Sequence, residues 1–260
     1  MSNSPTMGVR PTPAVTLTLA IVIPVYNEQD NLLPLLRDWQ PLFQEANVPY
    51  QVIFIDDGST DNSLRLLGQV SDPTIKVVTQ LNAGHGPAVL RGYRISLALG
   101  AEWVFQIDSD HQLDPAAFAD LWNNRERYDL LLAEREDKDA TVGRRLISGV
   151  TRRIVHTLYG SGVSNDSSGM SNDSSGVSDV NSPYRLMRAA WLAEALQKVP
   201  AAAFAPNVLI TAWFVLKKSR IFTIKTRPRG GAERRRSKLS AYILRGAIQS
   251  AFQTLLFRLR

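Results

Sequence analysis

Runs of apolar residues alternate with amphipathic stretches through the first half of the chain. The runs cover residues 19–25, 50–56, 75–80 and 102–108, and each has the length of a strand that is buried on both faces. Helical spacing of apolar residues follows the first run to about residue 45 and the third to about residue 99. Repeated strand, loop and helix units predict an α/β fold with a mostly parallel central sheet flanked by helices.

Each of these predicted strands ends in a polar or glycine-rich loop. In open parallel sheets, ligands bind beyond the carboxyl ends of the strands. The four loops therefore define the candidate site.

The second half of the chain has a mixed pattern. It predicts strands at 128–133, 180–187 and 221–225, and helices at 141–159, 189–199 and 207–218. Within it, residues 164–177 contain the heptapeptide SNDSSGM followed at once by SNDSSGV. Small polar residues of this kind do not bury a core, so we expect a flexible duplicated insertion there.

The two ends of the chain differ from its body. Residues 1–16 are rich in Ser, Thr and Pro and predict a disordered leader, which leaves 17–238 as one domain. Residues 239–260 predict a basic amphipathic helix, with apolar residues spaced three or four apart. These are Leu244, Ile248, Phe252, Leu255 and Leu259.

Composition excludes several classes of site and structure. The chain has no cysteine and three scattered histidines, so neither a disulfide framework nor a zinc site is expected. The absence of cysteine fits a reducing compartment and predicts a cytoplasmic protein. The longest apolar stretch, 201–216, is interrupted by Pro206 and Asn207 and is shorter than the roughly 20 residues that a spanning helix needs.

Basic residues are concentrated at the carboxyl end. Residues 217–260 hold 13 Lys or Arg and a single acid, Glu233, although the whole chain carries a net charge of only +6. This asymmetry indicates an anionic partner, which is a phosphate, a nucleic acid or a membrane surface. The tail has no recognisable nucleic-acid motif, so we expect no nucleic acid. The amphipathic helix either docks at the cytoplasmic face of an anionic membrane or packs on its own domain or a second subunit of a homo-oligomer.

Two carboxylates mark the end of the fourth predicted strand. Asp108 and Asp110 lie two residues apart and so face the same side, where their mutual repulsion favours a bound cation. Oxygen ligands favour Mg²⁺ or Mn²⁺, and Gln112 adds an amide oxygen. A calcium loop of the EF-hand type is excluded because Leu113 occupies its glycine position and Ala119 its final glutamate position.

Two further loops carry nucleotide-binding chemistry. Asp56 and Asp57 close the second strand, where a carboxylate can accept hydrogen bonds from a nucleobase or ribose. Gly84 and Gly86 allow a close approach of the backbone, but Val89 stands where a complete dinucleotide fingerprint has its third glycine. Turn formation alone explains either loop in isolation.

Four motifs together carry a resemblance to a known family. IVIPVYNE at 21–28, DDGSTD at 56–61, NAGHGPA at 82–88 and DSDHQ at 108–112 resemble, in order and spacing, the family 2 glycosyltransferases with the GT-A fold. The nearest branch is similar to the dolichyl- and polyprenyl-phosphate sugar synthases. The resemblance covers about residues 17–240 and implies a GT-A domain over 17–238.

The resemblance assigns roles to individual residues. It implies that Asp108, Asp110 and Gln112 hold Mg²⁺ or Mn²⁺, and that a basic loop closes over the donor diphosphate. The implied contacts to the nucleotide sugar are Pro24, Tyr26, Glu28, Asp56, Asp57, Asn82, Gly84, Gly86, Arg91, Asp108, Arg229, Arg236 and Lys238.

The implied reaction is an inverting transfer of a sugar from a nucleoside diphosphate to an acceptor, with a polyprenyl phosphate expected. A phosphate acceptor is already an anion near neutral pH and needs no strong base. A hydroxyl acceptor needs a carboxylate to take its proton, and Asp179 is the candidate. Asp179 and the metal ligand Asp110 are the two predicted catalytic residues. A module that binds nucleotide or membrane without turnover, or a nucleic-acid binder acting through the basic tail, are the alternatives.

Overall fold

The computed structural model describes residues 16–135, 177, 179–226 and 229. Among them, seven strands form one sheet in the order β3-β2-β1-β4-β6-β5-β7. The strands are β1 (Leu19–Val25), β2 (Tyr50–Asp56), β3 (Ile75–Thr79), β4 (Trp103–Gln106), β5 (Leu130–Arg135), β6 (Arg185–Arg188) and β7 (Ile221–Thr226).

The sheet is mostly parallel, as the sequence predicts. β1 pairs in parallel with β2 and β4, β2 with β3, and β5 with β7. The strand predicted at 180–187 contains β6, which lies between β4 and β5 and runs antiparallel to both; the strand-helix repeat does not predict this position or direction. The chain reaches β5 without filling the position next to β4, and β6 returns later to fill it.

Helices cover both faces of this sheet. Alternate residues of β1 point to opposite faces. On the face of Leu19 and Ile21 the sheet is covered by α1, α2 and α4, and on the face of Ala20 and Val22 by α3, α5 and α6. The helices are α1 (Leu32–Glu45), α2 (Ser63–Gly68), α3 (His85–Ala98), α4 (Ala117–Asn124), α5 (Ala189–Lys198) and α6 (Pro206–Leu216). None of the helices in the described ranges is long and apolar enough to cross a bilayer.

The α1 and α4 face is built around aromatic rings. Trp39 and Phe43 of α1 meet Phe105 of β4, Phe118 of α4 and Tyr184, with the centroids of Phe105 and Phe118 4.9 Å apart. Each of these side chains is at most 2% exposed. Large buried rings dominate core energetics, so this cluster anchors the sheet.

Several predicted boundaries move in the second half. The strand expected at 180–187 is confined to β6, because residues 179–182 form a turn before it. Val177, the last residue of the expected flexible insertion, is buried at 2% exposure. The expected helix at 141–159, the leader up to residue 15, the duplication at 164–176 and the tail at 239–260 lie outside the described residues.

Each loop that follows β1, β2, β3 and β4 contains a residue with left-handed backbone. Asn27, Gly58, Gly84 and His111 have φ values of 56°, 72°, 96° and 53°. Such values are uncommon without glycine and concentrate at functional sites. The four loops that carry the sequence motifs thus lie at one edge of the sheet, where the site is predicted.

Helix α3 crosses β1 so closely that Gly92 leaves no room for a side chain. A Cβ at Gly92 would lie 2.3 Å from Val22 Cγ1. We expect Gly92→Ala to lower the free energy of unfolding by about 1–3 kcal/mol, because overpacking forces the helix from the sheet. Urea denaturation of both proteins measures the difference.

Gly68→Ala is the matched control, because a Cβ at Gly68, in α2, would meet nothing within 4 Å. Its stability should be unchanged or slightly raised, as alanine favours helix. Equal stability of the Gly92→Ala protein and the wild type would contradict the close crossing.

Candidate active site at the carboxyl edge of the sheet

The loop after β1 is locked to the loop after β2. Asn27 Oδ1 accepts hydrogen bonds from the backbone N–H groups of Thr60 at 2.7 Å and Asp61 at 3.3 Å, and Ser59 Oγ accepts from Asn27 N at 3.0 Å. Ser63 Oγ likewise accepts from Glu28 N at 2.9 Å. These contacts hold Tyr26 and Glu28 in place beside the DDGS turn.

Asp57 organises the third loop from within the protein. Its carboxylate is 3% exposed and accepts hydrogen bonds from Gln80 Nε2 at 2.6 Å, Ala83 N at 2.9 Å and Gly84 N at 2.8 Å. Arg91 supports the same loop from behind, with Nη1 2.9 Å from the carbonyl oxygen of Thr79. Both residues are predicted nucleotide contacts, and both make structural contacts within the protein.

The two glycines of the third loop have different surroundings. Gly84 immediately precedes α3 and has a φ of 96°, a value that residues with a side chain rarely adopt. Gly86 is buried against the chain before α6, where an added Cβ would lie 2.1 Å from the carbonyl oxygen of Ala203. Close packing of two backbones thus accounts for Gly86.

These loops enclose a cavity of about 560 Å³. Eight predicted residues line it and are brought together by the fold, although they lie on four separate segments of the chain. They are Pro24, Tyr26, Glu28, Asp57, Asn82, Gly84, Asp108 and Asp110. Asp56 lies beneath them at 2% exposure, with Oδ1 3.4 Å from Ser59 N.

Asp108 is oriented by two donors. His85 Nε2 lies 3.0 Å from Asp108 Oδ1, and Gln106 Nε2 lies 3.4 Å from the same oxygen. The side chain of His85 is half exposed. Desolvation within the site lowers its pKa, but the negative charge and hydrogen bond of Asp108, with the charges of Asp110 and Asp57, raise that pKa above its usual value. The imidazole of His85 therefore interacts electrostatically with the carboxylates that line the cavity. The sequence pattern does not predict this contact.

The donor set suits a hard cation. Asp108 and Asp110 both line the cavity, which is open enough to admit phosphate oxygens. No cluster of three or more His, Asp or Glu side chains that could hold a metal occurs among the described residues. Magnesium and manganese commonly take one or two protein carboxylates and complete their shell with water and phosphate, so the residues present fit such an ion.

The loop after Asp110 is tied to the predicted basic loop. Gln112 N donates to Asp110 Oδ1 at 3.2 Å, and the carbonyl oxygen of Gln112 accepts from Arg229 N at 2.9 Å. The guanidinium of Arg229 forms an ion pair with Asp38 of α1. Arg229 is thus held beside the DSDHQ loop, while Arg236 and Lys238 lie outside the described residues.

His111 completes this contact. Its Nε2 lies 3.1 Å from Asp38 Oδ2 and 2.7 Å from Arg229 Nη1. Burial and the charge of Arg229 lower the pKa of His111 despite the attraction of Asp38. Asp38 is separated from His111 by 73 residues and stands in no motif, so the sequence does not predict this contact.

The turn that contains Asp179 is fixed from below. Glu134, which is fully buried and paired with Lys225, accepts a hydrogen bond from Asp179 N at 3.1 Å. Arg185 donates to the carbonyl oxygens of Ser182 at 2.7 Å and Val180 at 3.2 Å. The turn contributes Asn181 to a second cavity of about 390 Å³, which shares Gly84 and His85 with the first.

Comparison with known proteins places the chain in a family. The sequence model of the family described as glycosyl transferase family 2 matches residues 20–196. Undecaprenyl-phosphate 4-deoxy-4-formamido-L-arabinose transferases of Klebsiella pneumoniae (strain 342) and Pseudomonas fluorescens (strain Pf0-1) are 27% and 29% identical to it over 152 residues. The alignments cover 56% of this chain and 46% and 44% of those proteins, so the chain spans less than half of their length.

Solved structures show the same fold at low sequence identity. Glucosyl-3-phosphoglycerate synthase from Mycobacterium tuberculosis, crystallised with Mn²⁺ and uridine-diphosphate-glucose, matches with a TM-score of 0.62 and 19% identity over 93% of this chain and 79% of that one. S. aureus TarS 1–349 matches with a TM-score of 0.52 and 16% identity over 80% and 58%. Both neighbours are GT-A glycosyltransferases. This chain therefore has the GT-A fold and belongs to glycosyl transferase family 2.

Proposed function

We propose that the chain transfers a sugar from a nucleoside diphosphate to a polyprenyl phosphate. The observation that carries the proposal is the cavity in which Asp57, Asp108 and Asp110 meet at the carboxyl edge of the sheet. The uridine-diphosphate-glucose bound by the mycobacterial neighbour supports the donor class, and the acceptor in the names of the curated relatives supports the acceptor class.

The nucleoside would lie against the first two loops. Tyr26 is 48% exposed beside the cavity and offers an aromatic face, while Glu28 and Asp57 offer carboxylate oxygens. Asp57 already accepts three hydrogen bonds from the protein, so its main contribution is to hold Asn82 and Gly84 where the nucleotide passes. A preorganised pocket of this kind reduces the cost of ordering on binding.

Asp108 and Asp110 would hold Mg²⁺ or Mn²⁺, and the Mn²⁺ bound by the mycobacterial neighbour supports this choice of ion. When bound, such an ion supplies Lewis-acid stabilisation of the charge that develops on the departing diphosphate. Arg229, whose backbone N–H is bound to the carbonyl oxygen of Gln112, would add positive charge from the basic loop. For a phosphate acceptor the reaction needs no general base; for a hydroxyl acceptor, Asp179 would take the proton. Attack from the side opposite the diphosphate inverts the anomeric centre.

The basic tail would bring the enzyme to its acceptor. Each basic residue near an anionic surface contributes about 1 kcal/mol, so even a few of the 13 in residues 217–260 favour the cytoplasmic face of an anionic membrane. The alternative is that the amphipathic helix predicted at 239–260 packs on its own domain or on a second copy of the chain.

Replacing either carboxylate of the DSDHQ motif should abolish transfer. We expect Asp108→Asn and Asp110→Asn each to lower kcat/KM by at least about 100-fold, because each removes charge from a site that stabilises the leaving group by several kcal/mol. The assay follows transfer from a panel of nucleotide sugars to undecaprenyl phosphate with Mn²⁺.

Asp120→Asn is the matched control, since Asp120 is an exposed carboxylate of α4 outside the cavity. It should retain full activity. Activity that persists in both DSDHQ variants, or in wild-type enzyme with excess EDTA, would contradict the metal while leaving the fold assignment intact.

Removing the tail should detach the protein from membranes. Full-length protein is expected to float with anionic liposomes at low salt, and a chain ending at Ser237 to stay at the bottom of the gradient. Neutral liposomes and high salt are the controls, because screening weakens a surface interaction. Equal flotation of both proteins would contradict the docking role and favour packing of the tail on its own domain or at an oligomer interface.

A further inference from the structure

Three buried polar side chains form a cluster beneath the candidate active site. Tyr93 of α3, Gln106 of β4 and Asn207 of α6 are 0%, 0% and 2% exposed. They lie on the sheet face covered by α3, α5 and α6, among many apolar side chains and close to the buried Arg185. Burial of an amide costs several kcal/mol unless its hydrogen bonds are made, so such a cluster requires an explanation.

The hydrogen bonds within the cluster fix the orientation of Gln106. Its Oε1 lies 2.5 Å from the hydroxyl of Tyr93 and accepts a hydrogen bond from Asn207 Nδ2 at 2.8 Å. The Tyr93 hydroxyl also lies 2.9 Å from Asn207 Oδ1, and its single proton is donated to one of these two oxygens at a time. Because Asn207 Nδ2 donates to Oε1, the amide nitrogen of Gln106 points the other way.

That nitrogen points to the candidate metal ligand. Gln106 Nε2 lies 3.4 Å from Asp108 Oδ1, the oxygen that also contacts His85. The side chains at positions 106 and 108 project from the same side of the chain because they are two residues apart along an extended segment. Two donors on one oxygen restrict rotation of the carboxylate, as outer hydrogen bonds do for metal ligands in general.

Asn207 connects this cluster to the second cavity. It lines that cavity at the beginning of α6, and its carbonyl oxygen accepts a hydrogen bond from the buried Arg185 at 3.2 Å. The wall of the second cavity is thus joined to Asp108 in the first through two side-chain amides.

We propose that Gln106 is a positioning residue that orients Asp108 for cation binding, and that Asn207 holds Gln106 in this orientation. Neither residue lines the first cavity. The inference rests on the proposed function, since it concerns the same carboxylate. Apolar side chains of similar volume would fill the same space, so packing alone does not account for the polar cluster. Orientation of Asp108 does account for it.

Gln106→Met tests the proposal, because methionine keeps the length of the side chain but lacks the amide. We expect the affinity for Mn²⁺ in the presence of UDP to fall about 10–100-fold, the range typical when a partner of a metal ligand is removed. Binding is measured by the electron paramagnetic resonance signal of free Mn²⁺ during titration of the full chain. UDP binding without metal, measured by calorimetry, should change less than about threefold.

Asn207→Leu provides a second variant that leaves Gln106 in place. It should weaken Mn²⁺ binding less than Gln106→Met and in the same direction, since it removes a bond to Gln106 rather than the bond to Asp108. Ser96→Ala is the control for loss of a buried polar group. Ser96 lies on α3, as Tyr93 does, and is fully buried, but its hydroxyl donates to the carbonyl oxygen of Gly92 within the helix. It should lower the melting temperature at most and leave Mn²⁺ affinity unchanged.

The outcomes separate this inference from the proposed function. If wild-type protein binds Mn²⁺ with UDP, Asp108→Asn does not, and both Gln106→Met and Asn207→Leu bind as tightly as wild type, the positioning role is overturned and the metal stands. If the wild type and Asp108→Asn bind Mn²⁺ equally or not at all, the metal proposal and this inference both fall. Weak binding by Gln106→Met at normal UDP affinity supports the positioning role.

Discussion

The parallel pairing of β1 with β2 and β4 is the constraint on which the site depends. It sets Val25 opposite Asp56 and Val22 opposite Gln106, so the chain leaves all three strands at one edge of the sheet. Asp57 and Asp108 meet in one cavity for this reason. A slip of one residue in β4 would turn Gln106 and Asp108 to the aromatic face and destroy both the cavity and the cluster beneath it.

Much of this arrangement can be predicted from the sequence, because strands and turns are local. The apolar runs locate β1 to β4, and the polar ends of those runs locate the loops that form the cavity. The antiparallel β6 and the contact of Asp38 with Arg229 depend on which distant segments meet, and no spacing in the sequence encodes that. Gln106 reads as one polar residue in an apolar strand, and its partners in α3 and α6 are visible only in the fold.

Residues that a motif assigns to ligand binding need not all touch the ligand. The carboxylate of Asp57 accepts hydrogen bonds from the loop between Gln80 and Gly84, and the absence of a side chain at Gly86 leaves room for the backbone at Ala203. Such residues are as necessary to the site as direct contacts, because a nucleotide pocket is formed mainly by backbone that must be held in place. A sequence motif therefore includes residues that shape the pocket as well as residues that would contact a ligand.

The two faces of the sheet both bury apolar side chains but differ in what accompanies them. Rings such as Trp39 and Phe118 form a large aromatic cluster on one face. On the other face Gln106, Asn207 and Arg185 are buried, where burial lowers the pKa of the Arg185 guanidinium and leaves it neutral acceptors such as the carbonyl oxygen of Val180. Polar groups in that position contribute less stability than apolar ones, but their hydrogen bonds are directional. Both faces therefore bury apolar surface, and the polar groups of the second face add directional hydrogen bonds beneath the two cavities.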